Sequence, residues 1–383
     1  MSSLYDIFGI PFGYLMSWIY KLIPNYAVAI IIFTLVTKIL LFPVNYKTQK
    51  DAARMRLLQP KLQKIQKSFA NNQQRMLEEQ QKLYQQEGVN QMASCLPMMI
   101  QFFLLFGVID VVYKPITHIL HISKSVRNAA IERASQIATE FGIVNGGRAI
   151  SSGDLRNELY TMEALNNHPD KFSDIAENFL NAVSEFSEKF TIFGANLGKT
   201  PTLHPEVWNS EAVVLALIPF LAGLAQLLVS IYSMIHQKKT NPVPQAGGGC
   251  MWGMMLGMPL LSVWWGFTFP AGVGFYWIWS SVFSFLITFA LNLYFTNERV
   301  AEINEKEKKK ALAYAEKHPG KKTFMQKMME TSAAYNDAAS AVQNNNGEKM
   351  SRSEQNKVDS DALKAARRRM AEKYGDSYED DNK

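Results

Sequence analysis

Cysteine is scarce, with two in 383 residues. That excludes a disulfide-stapled scaffold and any cysteine-rich zinc or iron–sulfur site. Histidine is nearly as rare. Its six copies are scattered and show no spacing that would hold a metal. GxGxxG, P-loop and GxSxG signatures are all missing, so no dinucleotide, nucleotide or acyl-enzyme chemistry is announced. The expectation is a protein without cofactor, metal or catalytic residues, and not an enzyme. A mean hydropathy of -0.10 resembles that of a soluble globule, but the average hides strong clumping. The net charge of +6 suits an anionic partner, either lipid headgroups or RNA.

Crossing the hydrocarbon core of a bilayer takes about 20 apolar residues as a helix. Five stretches reach or approach that length: 26–42, 92–113, 212–234, 251–269 and 271–295. Several carry Trp or Tyr at their ends, where such rings favour the membrane interface. The expected fold class is therefore all-α: a polytopic membrane protein with five transmembrane helices. Segment 43–91 carries nine basic and four acidic residues, and 235–250 carries Lys238 and Lys239 without an acid. By the positive-inside rule these segments face the cytoplasm, with the N-terminus outside and the C-terminus inside. Residues 1–25 show neither a cleavable leader nor an early cysteine for lipid attachment, and within them 11–23 reads as an amphipathic helix lying in the outer interface.

The soluble segments read as helix and tail. Met55, Leu58, Leu62, Ile65 and Phe69 recur at spacings of three and four, and Met76, Leu77, Leu83 and Tyr84 form a second stripe ending at Gly88. The pair reads as a cytoplasmic helical hairpin over 43–91. Its outer face is basic, with Lys47, Lys50, Arg54, Arg56, Lys61, Lys64 and Lys67, and Pro60 should kink its first helix. Residues 114–211 read as an extracytoplasmic helical cap, 235–250 as a cytoplasmic loop, and 296–383 as a charged, disordered cytoplasmic tail with basic blocks at 308–310 and 367–369.

One side chain stands out. Lys38 lies inside the first apolar stretch, where an ammonium costs about 2.5–3.5 kcal/mol on insertion scales. It must snorkel, pair or face water. Thr34 and Thr37 lie beside it on the helix, which argues for a wet face. Gln101 in the second stretch, Gln226 and Ser230 in the third, and Ser281, Ser284 and Thr288 in the fifth could join it in lining a groove. Each alone more often makes a helix-packing hydrogen bond. Asp110, near the outer end of its stretch, is expected to reach water.

The order of motifs carries a resemblance. A cation precedes a proline in the first span (Lys38, Pro43). Then come Leu58-Gln59-Pro60-Lys61, Gly88-Val89-Asn90, Cys95-Leu96-Pro97-Met98-Met99-Ile100-Gln101, and Phe269-Pro270-Ala271-Gly272 followed by Tyr276-Trp277. This resembles the YidC/Oxa/Alb membrane protein insertases, in the short bacterial form without the large periplasmic domain. The resemblance implies a chaperone and insertase of the plasma membrane. Its hydrophilic groove would be built around Lys38, with Tyr276 and Trp277 added, and client segments would pass through it without nucleotide hydrolysis. It implies nascent membrane proteins and the bilayer as partners, with a ribosome at the basic tail and the Sec translocon as further candidates. Lys38 stands where relatives usually have Arg, Gln91 where they often have Pro, and 114–190 is an insertion relative to compact members. A small solute or ion transporter using Lys38 as its binding charge is the alternative reading, although no internal repeat is visible.

Overall fold

The computed structural model describes residues 4–89, 96–141, 155–240 and 248–317. The motif residues 90–95, residues 142–154 of the expected cap, residues 241–247 of the 235–250 loop and the basic block at 367–369 lie outside them. The chain divides into a unit of residues 1–309 and a second of 310–383, and of the second only the helical stretch 310–317 is described.

The described residues of the first unit are mostly helical. Helix α1 (Leu4–Leu22) turns through residues 23–25 into α2 (Tyr26–Leu40), whose N-terminus is capped by the Asn25 side chain accepting from the Val28 N–H. Helix α3 (Phe42–Ser68) follows at once, with Pro43 in its first turn, and bends 57° away from α2. It runs through Pro60 as one unbroken helix. A short turn capped by Asn72 leads into α4 (Gln73–Glu87), which ends at Gly88 with φ 63°, the left-handed conformation glycine adopts without penalty. Leu58, Leu62 and Val89 are buried between α3 and α4, with Met55, Leu83 and Tyr84 around them.

Helix α5 (Leu96–Tyr113) returns through the bundle, and the one-turn α6 (Pro115–His118) opens a region of four helical pieces. These are α7 (Lys124–Phe141), α8 (Asn157–Asn167), a 3-10 turn (Pro169–Phe172) and α9 (Glu177–Lys189). An antiparallel β1–β2 hairpin (Thr191–Ile192, Ala195–Asn196), which the expectation of an all-helical cap did not foretell, closes this cap. Its two-residue turn holds Phe193 and Gly194 at φ 48° and 79°, the pair of positive values a tight hairpin turn needs.

Three long helices complete the bundle: α10 (Ser210–Thr240), α11 (Gly248–Gly266) and α12 (Ala271–Tyr294). Helix α13 (Asn297–Lys317) follows, so the first part of the segment read as disordered is helical. Among the described residues, α10 and α12 are each long and apolar enough to cross a membrane, and α2 with α3 makes a third such element if the bent pair counts as one. The other two expected spans fall on α5 and α11. The outward faces of α10 and α11 are oily, with Leu217, Leu224, Leu228, Leu260 and Trp264 among their exposed residues.

Packing ties the cap to the bundle. Tyr26, at the start of α2, sits with its ring centroid 4.4 Å from that of Phe190, and Phe186 packs on both. The first N–H groups of α12 have no partners within their own helix. Those of Ala271 and Gly272 instead donate to the carbonyls of Lys199 and Leu197, at 2.9 and 2.8 Å. Helix α1 lies along α5 so closely that a Cβ on Gly9 would collide with the Asp110 carboxylate, and one on Gly13 with the His118 ring. Small residues four apart allow this approach of backbones.

Candidate functional site

Lys38 lies in the last turn of α2, and only 6% of it is exposed. Its Nζ donates to Ser284 Oγ of α12 at 2.8 Å. Lys, with three N–H donors and no acceptor, needs more than one hydroxyl to be satisfied. It lines a cavity of about 110 Å³, together with Leu41, Val44 and Asn45 from the α2–α3 bend, Ile100, Gln101 and Leu104 from α5, and Ser284. A second cavity of about 280 Å³ opens between α5, α10, α11 and α12. Gln101 and Ser284 belong to both, so the two meet at a polar wall. The larger one is oily with polar points. Gln226 accepts from Ser262 Oγ at 2.5 Å, Ser280 and Ser281 line the α12 side, and Trp277 and Trp265 supply aromatic walls.

The structure thus brings Lys38, Gln101, Gln226 and Trp277 to two adjoining cavities, with Ser281 and Ser284. Thr34 and Thr37 are buried but turn their hydroxyls onto their own helix. Thr34 Oγ1 donates to the Ile30 carbonyl at 2.6 Å and Thr37 Oγ1 to the Thr34 carbonyl at 2.8 Å. A β-branched hydroxyl on an apolar helix has that backbone acceptor always within reach. Tyr276 is part of the buried core, and Ser230 lines neither of these cavities. Sequence reasoning missed Asn45, Ser262 and Ser280. Ser262 carried a usable signal: it is the one polar side chain between Met251 and Gly266.

The other charged residues near the bundle have separate tasks. Asp110 does not reach water. It is fully buried, bound by Lys114 Nζ at 2.6 Å and His118 Nε2 at 2.6 Å, under the glycines of α1. Lys114 at position i+4 and His118 in the following turn enclose it, so Asp110 is no counter-ion for Lys38. Arg54 and Arg56 also leave the basic face they were expected to share. Arg54 is 2% exposed, and Arg56 hydrogen-bonds His236 and Thr240 at the end of α10.

These features define a class first: a helical bundle with membrane-length apolar helices and a polar, cation-bearing interior. The sequence matches the family described as 60Kd inner membrane protein over residues 18–298, and the chain belongs to that family. Relatives named membrane protein insertase YidC include those of Granulibacter bethesdensis (38% identity over 103 residues), Clostridium tetani (38% over 106) and Wolinella succinogenes (33% over 109). The aligned stretches cover 27–28% of this chain and 18%, 48% and 20% of those three proteins, so less than half of each relative's length is matched.

Proposed function

We propose that this protein inserts client transmembrane segments into a lipid bilayer. In this reading α2, α5, α10, α11 and α12 are five spans of an inner membrane protein. The α3–α4 hairpin and α13 lie on the cytoplasmic side, and the cap over α6–α9 lies outside. The observation that carries the reading is the Lys38 ammonium, buried in the smaller of two adjoining cavities inside an apolar bundle, with its hydrogen bond made to Ser284, which lines both. In a low-dielectric setting a cation attracts a carboxylate far more strongly than in water. An acidic client segment entering from the hairpin end would find that charge, cross a shortened apolar path, and leave its own apolar segment to partition into lipid. Burial of that segment supplies the driving force, without nucleotide hydrolysis. The oily outer faces of α10 and α11 and the family membership support the same assignment. The uncharged, Ser- and Gln-lined larger cavity suits a passing polypeptide backbone, which needs hydrogen-bond partners and no fixed charge.

The test is photo-crosslinking from position 281, in the wall of the larger cavity, during synthesis of a membrane protein with an acidic translocated tail. Crosslinks to the nascent chain are expected. Labelling by a small solute alone, with no client crosslink, would overturn the reading in favour of a transporter.

A further inference from the structure

The buried guanidinium of Arg54 has no part in the cavities, yet it is the largest fully buried side chain of the described residues. Its three nitrogens reach three places. Nε donates to Asn304 Oδ1 of α13 at 3.0 Å, Nη1 to the Gly88 carbonyl at 3.1 Å, and Nη2 to the Glu87 carbonyl at 2.6 Å. It therefore caps the last carbonyls of α4 while gripping α13. The Glu87 side chain closes the knot from the other direction. It accepts from Asn304 Nδ2 at 3.2 Å, Lys61 at 2.6 Å and Lys308 at 3.4 Å. Lys50 and Glu307 form an outlying ion pair at 3.3 Å.

Apolar side chains of similar volume could hold these helices as tightly as a buried charge does. What they lack is the fixed fork of a guanidinium, which admits one relative placement of its partners. That placement bears on the cavity of Lys38. Val44 and Asn45, in the first turn of α3, are part of its wall, and Arg54 lies nine residues further along the same helix, roughly 14 Å at 1.5 Å per residue. Rotation of α3 about the 57° bend would move both ends together.

We infer that Arg54, with Glu87 and Asn304, is a positioning residue for the insertion site, fixing α3 against α4 and α13 so that the Lys38 cavity keeps its wall at the bend. This rests on the insertion reading above. It assigns to the hairpin a defined station relative to α13, set by a hydrogen-bonded fork rather than by apolar contact.

The test uses the full chain in lipid nanodiscs and proteoliposomes, with Cys95 and Cys250 replaced by serine. Spin labels at Arg75→Cys and Ala301→Cys report the distance between hairpin and α13. Arg54→Lys keeps the charge and loses the fork, and it is expected to broaden the distance distribution and lower client insertion roughly tenfold. A bismaleimide bridge between Lys50→Cys and Glu307→Cys should restore both the narrow distance distribution and insertion to Arg54→Lys, and at a temperature well below its melting point Arg54→Lys should still show the insertion defect, which a merely stabilising role would not produce. An unchanged distribution, or broadening with undiminished insertion, or a loss that the bridge leaves in place, would overturn the inference. Failure of the unsubstituted protein to insert any client would instead overturn the insertion reading, and the distance measurement would still report on the fork.

Discussion

Lys38 uses one N–H on Ser284 and faces a small cavity with the others. A carboxylate arriving there gains a charge-assisted hydrogen bond, a class worth about 1.5–3 kcal/mol. Lys38→Ala removes it, so insertion of clients with acidic translocated tails should fall about tenfold or more, since 1.4 kcal/mol is a factor of ten. Lys38→Arg keeps the charge and should retain insertion. Clients whose translocated tails carry no acid should be insensitive to both. A complementation assay with the two client types checks this, and equal activity of the Ala variant on acidic tails would remove Lys38 from the mechanism. The sequence made this residue legible because a lysine within an apolar run is conspicuous, and Gln101 and Gln226 were legible for the same reason. Thr34 and Thr37 misled because a threonine looks polar in a sequence while its hydroxyl can vanish into the helix backbone. Arg54 misled in the opposite direction. On a mostly basic helix nothing local distinguishes a buried arginine from its solvated neighbours, since its partners Asn304 and Gly88 are remote in sequence.

At the scale of elements, close backbone approach joins α1 to α5. Gly9→Leu forces a branched side chain into the Asp110 carboxylate. Overpacking of this kind costs about 1–3 kcal/mol, read as a lower melting temperature in nanodiscs, whereas Ile10→Leu on the exposed face of α1 should leave it unchanged. The cap and the hairpin respond to pH with opposite signs. Burial raises the pKa of Glu158 in α8, although Thr117, Arg127 and His118 oppose the shift. The folded cap thus holds that proton more tightly than the unfolded chain does, so its contribution is present at low pH and is lost as pH rises through the raised value. Burial also pushes Glu87 upward, but Lys61, Asn304 and Lys308 outweigh it and hold its carboxyl below the usual range. Its contribution is present above the ordinary carboxylate pKa and is lost as pH falls through the lowered one. Melting of wild type, Glu158→Gln and Glu87→Gln across pH 3–8 separates the two. Glu158→Gln should remove a loss on the alkaline side, and Glu87→Gln a loss on the acid side. The hairpin was visible in the three-and-four stripes of 55–84, and 114–211 was legible as helical, though not the division into α7, α8 and α9. The β1–β2 hairpin was not, because two-residue strands carry no periodicity and its Phe193-Gly194 turn departs from the usual Asn-Gly pattern.

For the molecule as a whole, the helical architecture and the family were readable from five apolar runs and a chain of short motifs. The docking of α13 was not, because a charged Ala/Lys/Glu segment reads alike whether it is solvated or docked. Val300 and Asn304 are buried by contacts that only the folded bundle provides. This difference decides how the tail should be cut. Removing 297–383 would take away Asn304, Glu307 and Lys308 along with the basic block at 367–369, so a loss of activity would have two causes. Removing 318–383 leaves the Arg54 fork in place and deletes twelve basic and eleven acidic residues. If the tail holds a translating ribosome, as its basic blocks suggest, this shorter deletion should weaken co-sedimentation with ribosomes at low salt and flatten its dependence on salt, because fewer phosphate contacts release fewer counter-ions. Insertion of a purified, ribosome-free client should remain at the wild-type rate, since the cavities, Lys38 and the fork are untouched. Co-sedimentation that keeps its strength and salt slope would place ribosome contact elsewhere, with the solvated lysines of the hairpin, Lys64 and Lys67, as the next surface to neutralise.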